Sequence, residues 1–468
     1  MDNKHTNKTT SDRWRGMIPA ASVFLLAWLI RLIFNLTVAR DYTPTADAAN
    51  FVVIAQNLLH SGCFCLHPPA PTIDRAPVWP TTIAVIYGVF GANNLYVRIF
   101  LCFIGAGTCV LIYLFAKEIF SPRFGLLAGI LAAVYPQLYV YDDWLYADSL
   151  FVFLTLAFAY SLLRLQHTGK IRWMIWSGIC LGLVALERPN GIATIALLIA
   201  WVVIIGVSRA IPWKRLIKEG IVVLCVAALL IAPWTIRNYA VSGSFVPVAL
   251  GQGTVLIGSY NNVIAQSTPF FGSWVNPNIA DPALGQRYHF ADWQGPRAQL
   301  ARENSFQAAA EQWVEQHVSL LPRLLEAHFI DLWKPLANDS DQPVSRFSTN
   351  EASMLVTTMA NADIFFVYVL AALGLLFTFR QRWRELLFFY LLTLYTIAQC
   401  LALYGTARFR APIEPMLIIL IAGAIWWVVQ QLRGNRTVGK ENNDGISPED
   451  TVSSSASTSD ADIALPNS

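Results

Sequence analysis

The sequence predicts an all-α polytopic membrane protein of about ten transmembrane helices, with interfacial helices in the first outer loop and a small mixed domain outside. Three observations carry that prediction. Hydrophobic residues make up 55% of the 468 residues and charged residues 13%, where a soluble domain carries about 25% charged residues. Mean hydropathy is +0.47, and the chain runs apolar for tens of residues at a time, where about 20 suffice to cross a hydrocarbon core of ~30 Å. Lys and Arg gather in alternate connections, which fixes an orientation. A net charge of +3, spread over short connections, gives no basic face for nucleic acid.

In order, residues 1–16 are polar. The run Met17–Val38 is too long for a signal-peptide core and lacks a small-x-small cleavage site, so it reads as the first span. Further spans are Leu95–Ala116, Phe124–Val140, Ser149–Leu165, Trp173–Leu186, Ile192–Val207, Gly220–Thr235, Ala362–Phe379, Leu386–Tyr404 and Ile413–Gln430. This register puts six basic groups on one side: Arg13 and Arg15, Lys117 and Arg123, Arg164 with Lys170 and Arg172, Arg209 to Lys218, Arg380 to Arg384, and Arg433 with Arg436. That side is predicted to be cytoplasmic, with both termini on the cytoplasmic side of the cytoplasmic (inner) membrane and the other connections facing the periplasm or cell exterior.

The expected organisation is a cytoplasmic tail (1–16), a transmembrane core (17–240) containing the outer loop 39–94, an outer domain (241–361), C-terminal transmembrane helices (362–432), and a tail (433–468). The first half of the outer domain is rich in Gly, Asn, Ser and Pro and reads as loop or short strands. Helical spacing returns from Asn304 to Trp333. The tail is acidic, Ser-rich and poor in large apolar residues, and is expected to be disordered. Of the seven cysteines, five lie in apolar runs. Cys63 and Cys65 fit no zinc pattern, and their one-residue spacing disfavours a mutual disulfide.

The outer connections hold the ionisable residues that could carry chemistry. Asp47 precedes AANFVVIAQNLLHSG, a stretch that reads as an interfacial helix, so it serves equally as a helix cap or as a base. Arg75, in DRAPVWP, offers the planar fork that matches phosphate oxygens, while a local pair with Asp74 is the plain alternative. Asp142, Asp143 and Asp148 place three acids within seven residues at the membrane boundary, where carboxylates are costly unless they face a wet cavity or a cation. Arg188 in ERPNG, and Arg408 and Arg410 in RFRAP, bring guanidinium groups to the same side. Arg237 reads as a snorkelling interfacial anchor.

No P-loop, no GxGxxG after a strand and no HExxH occurs; Gly105-Ala106-Gly107 is too short and lies in an apolar run. The chemistry that fits is group transfer from a donor carried in the membrane. A lipid phosphate leaves without a general acid, since its second pKa is near 6. It needs cations to hold its charge and one carboxylate to take the acceptor's proton. Nothing in the spacing requires a cofactor, although Asp47 and Asp148, with Asp142 and Asp143, would suit Mg²⁺ or Mn²⁺ if they converged. A transporter or flippase of a lipid-linked glycan is the rival reading, because arginines and broken helices also mark transport paths.

The order of RLIFNL, DRAPVWP, LYVRIF, DDWLYADSLF, ERPNG, PWTIRNYAVSG and RFRAPIEP along residues 17–430 resembles the GT-C superfamily of membrane glycosyltransferases. The likeness is to the branch with protein O-mannosyltransferases and aminoarabinose transferases. The resemblance implies transfer of a sugar from a polyprenyl-phosphate donor to a lipid, glycan or protein acceptor on the outer face, with inversion. It implies Asp47 as catalytic base, Asp148 as the acid opening the fourth helix, and Arg75, Arg408 and Arg410 near the donor phosphate; Arg188, in a turn between two short helices that looks into the cavity, is by its position a further candidate phosphate or carboxylate partner. Asp74, Asp142 and Asp143 are acceptor or auxiliary candidates. The chain departs from the pattern of paired acid and Tyr in the first loop, having Ala48 and Phe51.

Overall fold

The computed structural model describes residues 10–40, 42–266, 271–334 and 350–443. The ends of both expected tails, and parts of the expected outer domain, lie outside these. The described residues form helices and turns, with one isolated bridge between His67 and Ala70 and no strand. The helices are α1 (Thr10–Thr37), α2 (Asp47–Ser61), α3 (Val78–Phe90), α4 (Asn94–Ile119), α5 (Pro122–Val134), α6 (Asp148–Thr168) and α7 (Ile171–Glu187). They continue as α8 (Thr194–Val207), α9 (Trp213–Ser242), α10 (Gln252–Ser259), α11 (Pro296–Gln316), α12 (Leu321–Trp333), α13 (Asn350–Ala402) and α14 (Glu414–Asn443).

Among the described residues seven helices are long and apolar enough to cross a membrane, or eight if a bent pair counts as one span. The expected count of ten is not reached by this measure, for two reasons. First, α7 has 17 residues. Second, the expected spans Ala362–Phe379 and Leu386–Tyr404 fall in one helical run, α13. Its contacts require the run to fold back. The Tyr368 hydroxyl donates to the Trp333 carbonyl at 3.5 Å, and His328 Nδ1 lies 3.1 Å from the Leu401 carbonyl. Trp333 and His328 are neighbours on α12, yet Tyr368 and Leu401 would stand about 50 Å apart on a straight helix.

The bent pair is Pro122–Val134 with Pro136–Asp143, at 70°. The break falls at Tyr135 and Pro136, where proline removes a backbone donor and pushes the preceding residue to extended geometry. The expected span Phe124–Val140 is therefore interrupted, and the chain after it turns inward with Tyr141, Asp142 and Asp143 buried.

Two sets of polar contacts join helices inside the bundle. On α1, Val23, Ala27, Arg31 and Asn35 form one buried stripe at four-residue spacing. Arg31 Nε donates to Asp142 at 2.6 Å with both side chains sealed. Arg98 on α4 donates to the Asn35 side chain at 2.8 Å and to the Ala39 carbonyl at 2.7 Å. Gly105 is needed where α4 passes this pair, since a Cβ there would lie 2.1 Å from Asp142 Oδ2 and 2.5 Å from Arg31 Nε.

The first loop folds as α2 and α3, as expected, over a core that includes Ala48, Trp79, Tyr146, Phe151 and Ala411. Cys63 and Cys65 are joined in a disulfide, contrary to the expectation from their spacing. The region after α9, expected to hold loop or strands, is built of short helices: α10, then Asn262–Ala265, Pro277–Ala280, Pro282–Arg287 and Ala291–Gln294, then α11 and α12. A second unit begins at Trp426, and its helix runs to Asn443, past the position where the disordered tail was expected to begin.

Candidate active site

The site is assembled where the first loop meets the ends of α6, α7 and the turn before α14. Asp47 is the first residue of α2. The residue that caps this helix is Ala46, at φ 51°, with no side-chain cap bond. Asp47 Oδ1 instead accepts from Arg75 at 3.1 Å, and the Asp47 side chain is 48% exposed. Arg75 also donates to the Asp74 carbonyl at 3.0 Å. The sequence thus placed Asp47 and Arg75 correctly in one loop, but the local Asp74 and Arg75 side-chain pair does not form.

Asp74 pairs instead with Arg302 of α11. Arg302 further meets Asp292 at 3.0 Å. On the same face of α11, Gln299 accepts from the Ile73 amide at 3.0 Å, and Glu303 accepts from the Gly251 and Thr254 amides at 3.1 Å each. Residues 299, 302, 303 and 306 follow helical spacing, so one helix face clamps the first loop and the start of α10. Sequence reasoning missed Arg302, because the apolar periodicity it followed begins just after it.

Asp148 opens α6 behind Ala147, with no capping bond from its own side chain. Its carboxylate is 1% exposed and sits between two guanidinium groups. Oδ1 accepts from Arg188, and Oδ2 accepts from Arg408 Nε at 2.9 Å. Arg188 and Arg408 keep 16% and 12% of their side chains open. Arg408 also stacks over the Tyr146 ring, 4.3 Å from its centroid. Asp148 is therefore sealed from solvent, and its two oxygens fix the positions of Arg188 and Arg408.

Three other expectations change. Arg410 is fully buried: it donates to Glu414 at 2.5 Å and to the Leu332 carbonyl at 2.6 Å, and with no part of its side chain exposed it is sealed from a phosphate arriving at the outer face. Asp142 and Asp143 are 1% and 2% exposed and lie inside the bundle near Arg31 and Arg98, away from an acceptor's approach. Arg237 does not snorkel. It donates to the Thr72 carbonyl at 2.7 Å and lies over the Trp234 ring, tying α9 to the first loop.

Two cavities border these groups. A polar one of about 280 Å³ is lined by Asp74, Arg75, Asn278, Tyr288, Asp292 and Arg302, among others. An apolar groove of about 430 Å³ runs between Pro77, Val78, Leu186, Leu230, Pro233 and Trp234, so it begins two residues from Arg75 and two from Arg188.

A family model described as dolichyl-phosphate-mannose-protein mannosyltransferase matches residues 74–236. The oligosaccharyltransferase AglB from Archaeoglobus fulgidus, in complex with an inhibitory peptide and a dolichol-phosphate, superposes with a TM-score of 0.55 at 16% identity. The match covers 92% of this chain and 52% of AglB. The chain has the GT-C membrane-glycosyltransferase fold. The chain spans about half the length of the AglB structures it matches. The AglB complex with zinc and sulfate gives a TM-score of 0.54 at 15% identity over 91% and 51% of the two chains. The structure of ArnT from Cupriavidus metallidurans bound to undecaprenyl phosphate covers 92% and 81% at 14% identity, and its TM-score of 0.39 is too low to equate residues. No curated protein matches the sequence.

The acids of the first loop and of the turn before α6 were candidates for holding a divalent cation. Among the described residues no group of three or more His, Cys, Asp or Glu is placed to hold one. Asp47 and Asp148 do not converge on such a site, and each is held by arginine.

Proposed function

We propose that the protein transfers one sugar from a polyprenyl-phosphate donor to an acceptor hydroxyl on the outer face of the cytoplasmic membrane, with inversion at the anomeric carbon. The observation that carries this reading is the half-open Asp47 carboxylate, held by Arg75, which also lines the polar cavity and lies two positions from the first residue of the apolar groove. A base must touch the acceptor, and among the acids singled out from the sequence Asp47 is the one that is both exposed and held. The groove suits the isoprenyl chain, and its ends bring the lipid phosphate toward Arg75 and Arg188, with Arg408 beside the latter.

In the reaction, Asp47 takes the proton from the acceptor hydroxyl as its oxygen bonds to the anomeric carbon. The bond from that carbon to the phosphate oxygen breaks, and its electron pair leaves with the phosphate. Arg75, Arg188 and Arg408 face the charge that develops there, which is where preorganised cations act most strongly. Asp148 is a positioning residue that fixes the last two. Asp47→Asn should lower transfer from a polyprenyl-phosphate sugar by about 10²–10⁴-fold, the range for loss of a general base, while the variant stays folded in membranes. Wild-type rates in that variant would end this reading.

A further inference from the structure

The polar cavity has a charge balance and a position that narrow the acceptor. Its volume of about 280 Å³ lies near the lower end of ligand clefts, which start at roughly 300 Å³. That is room for one ring-sized group rather than a stretch of polypeptide. Arg75 forms part of its wall and reaches Asp47 at 3.1 Å, so the cavity adjoins the base.

The walls are built rather than merely polar. The Asp74 side chain is 4% exposed and gives Oδ2 to Arg302, yet its buried Oδ1 has no hydrogen-bond partner. A buried carboxylate oxygen left free in a cavity wall is a costly feature unless a ligand donor meets it. Glu303, by contrast, is committed to the Gly251 and Thr254 amides. Asp74, Asp292 and Glu303 set three carboxylates against the guanidinium groups of Arg302 and Arg75, the second of which is shared with Asp47. An anion would find both guanidinium groups already paired with carboxylates, Arg302 with Asp74 and Asp292 and Arg75 with Asp47. A group with several hydroxyls, or with an amine, would find acceptors on the carboxylates and on Asn278. Tyr288 and Phe306, packed edge to face at 6.1 Å, give the same cavity an aromatic wall for the C–H face of a ring.

We propose that this cavity binds the acceptor and that the acceptor presents a carbohydrate ring, uncharged or amino-bearing, with its reacting hydroxyl toward Asp47. The assignment rests on reading Asp47 as the base. For displacement with inversion, the acceptor and the leaving phosphate occupy opposite faces of the anomeric carbon, which calls for two separate binding volumes; the polar cavity lined by Arg75 and the apolar groove that begins at Pro77 share no lining residue.

Saturation-transfer NMR on the full chain in lipid nanodiscs tests it, with methyl glucoside, glucosamine and glucuronate as neutral, cationic and anionic probes. Transfer to methyl glucoside or glucosamine is expected, at least fivefold stronger than to glucuronate. It should drop at least fivefold in Asn278→Trp and His289→Trp, which fill the cavity from two exposed rim positions. Asp47→Asn should keep the signal. No transfer to any probe, equal transfer to glucuronate, or a signal unchanged in both filled variants overturns the proposal. Binding with undiminished turnover in Asp47→Asn would instead overturn the assignment of the base, so the two failures are distinct.

Discussion

Asp142 and Asp148 are six positions apart and both sealed, but their partners give them different work. Asp142 is matched one to one by Arg31 inside the bundle. Removing one member of such a pair leaves an unpaired charge and costs about 3–5 kcal/mol, whereas replacing both by apolar residues is often near neutral. Arg31→Met should therefore lower the thermal midpoint strongly, and Arg31→Met with Asp142→Leu should recover most of it. Failure of the double variant to recover would mean Arg31 does more than neutralise Asp142. Asp148 is held by two arginines with open faces, so Arg408→Lys, which loses the planar fork, should raise the donor KM about tenfold with stability little changed. Asp74 is poised differently again. Burial pushes its carboxyl up to about 7, with Arg302 opposing the rise and Asp292 adding to it. The folded chain then holds this proton more tightly than the unfolded chain. The group's contribution to stability is full below the ordinary carboxylate range and is lost as pH rises through about 7. The thermal midpoint of the wild type should fall relative to that of Asp74→Asn between pH 5 and 8, and parallel curves would refute the shift.

At the level of elements, two close fits decide how the site is held. α4 passes the Arg31 and Asp142 pair at Gly105, where any side chain collides with the ion pair. Gly105→Ala should destabilise by about 1–3 kcal/mol, the usual cost of overpacking, measured by thermal unfolding in detergent. α11 clamps the first loop through Gln299 and Arg302. Arg302→Met removes the ion pair while keeping much of the bulk. It should make residues 243–300 more sensitive to limited proteolysis and lower transfer by shifting Arg75. Intact protease resistance would show that Gln299 and the apolar contacts suffice. This clamp was not legible in the sequence, because Arg302 and Asp74 lie more than two hundred positions apart and no local pattern connects them.

For the whole molecule, the fold-back of α13 is the feature most open to a direct distance measurement. Spin labels at Phe366 and Leu401 should be separated by well under the ~50 Å that a straight helix of that length would impose. A distance near 50 Å would require Tyr368 and Leu401 to leave α12. The fold-back restores the turn that the charged run Arg380 to Arg384 marks in the sequence, even though helical hydrogen bonding continues through it.

Apolar run length and charge spacing by themselves determined that the chain is helical and membrane-embedded, and that its ionisable residues gather in a few connections. These are properties of consecutive residues, so a linear string records them. The first loop carrying Asp47 and Arg75, and the acid at the head of α6, were legible for the same reason. Only the tertiary structure decided which charge neutralises which. It sent Asp142 to Arg31, Asp74 to Arg302 and Arg410 to Glu414, and it left Asp47 half open. Those outcomes depend on how helices distant in sequence pack, and the cost of burying an unpaired charge enforces them. Local patterning does not encode that cost.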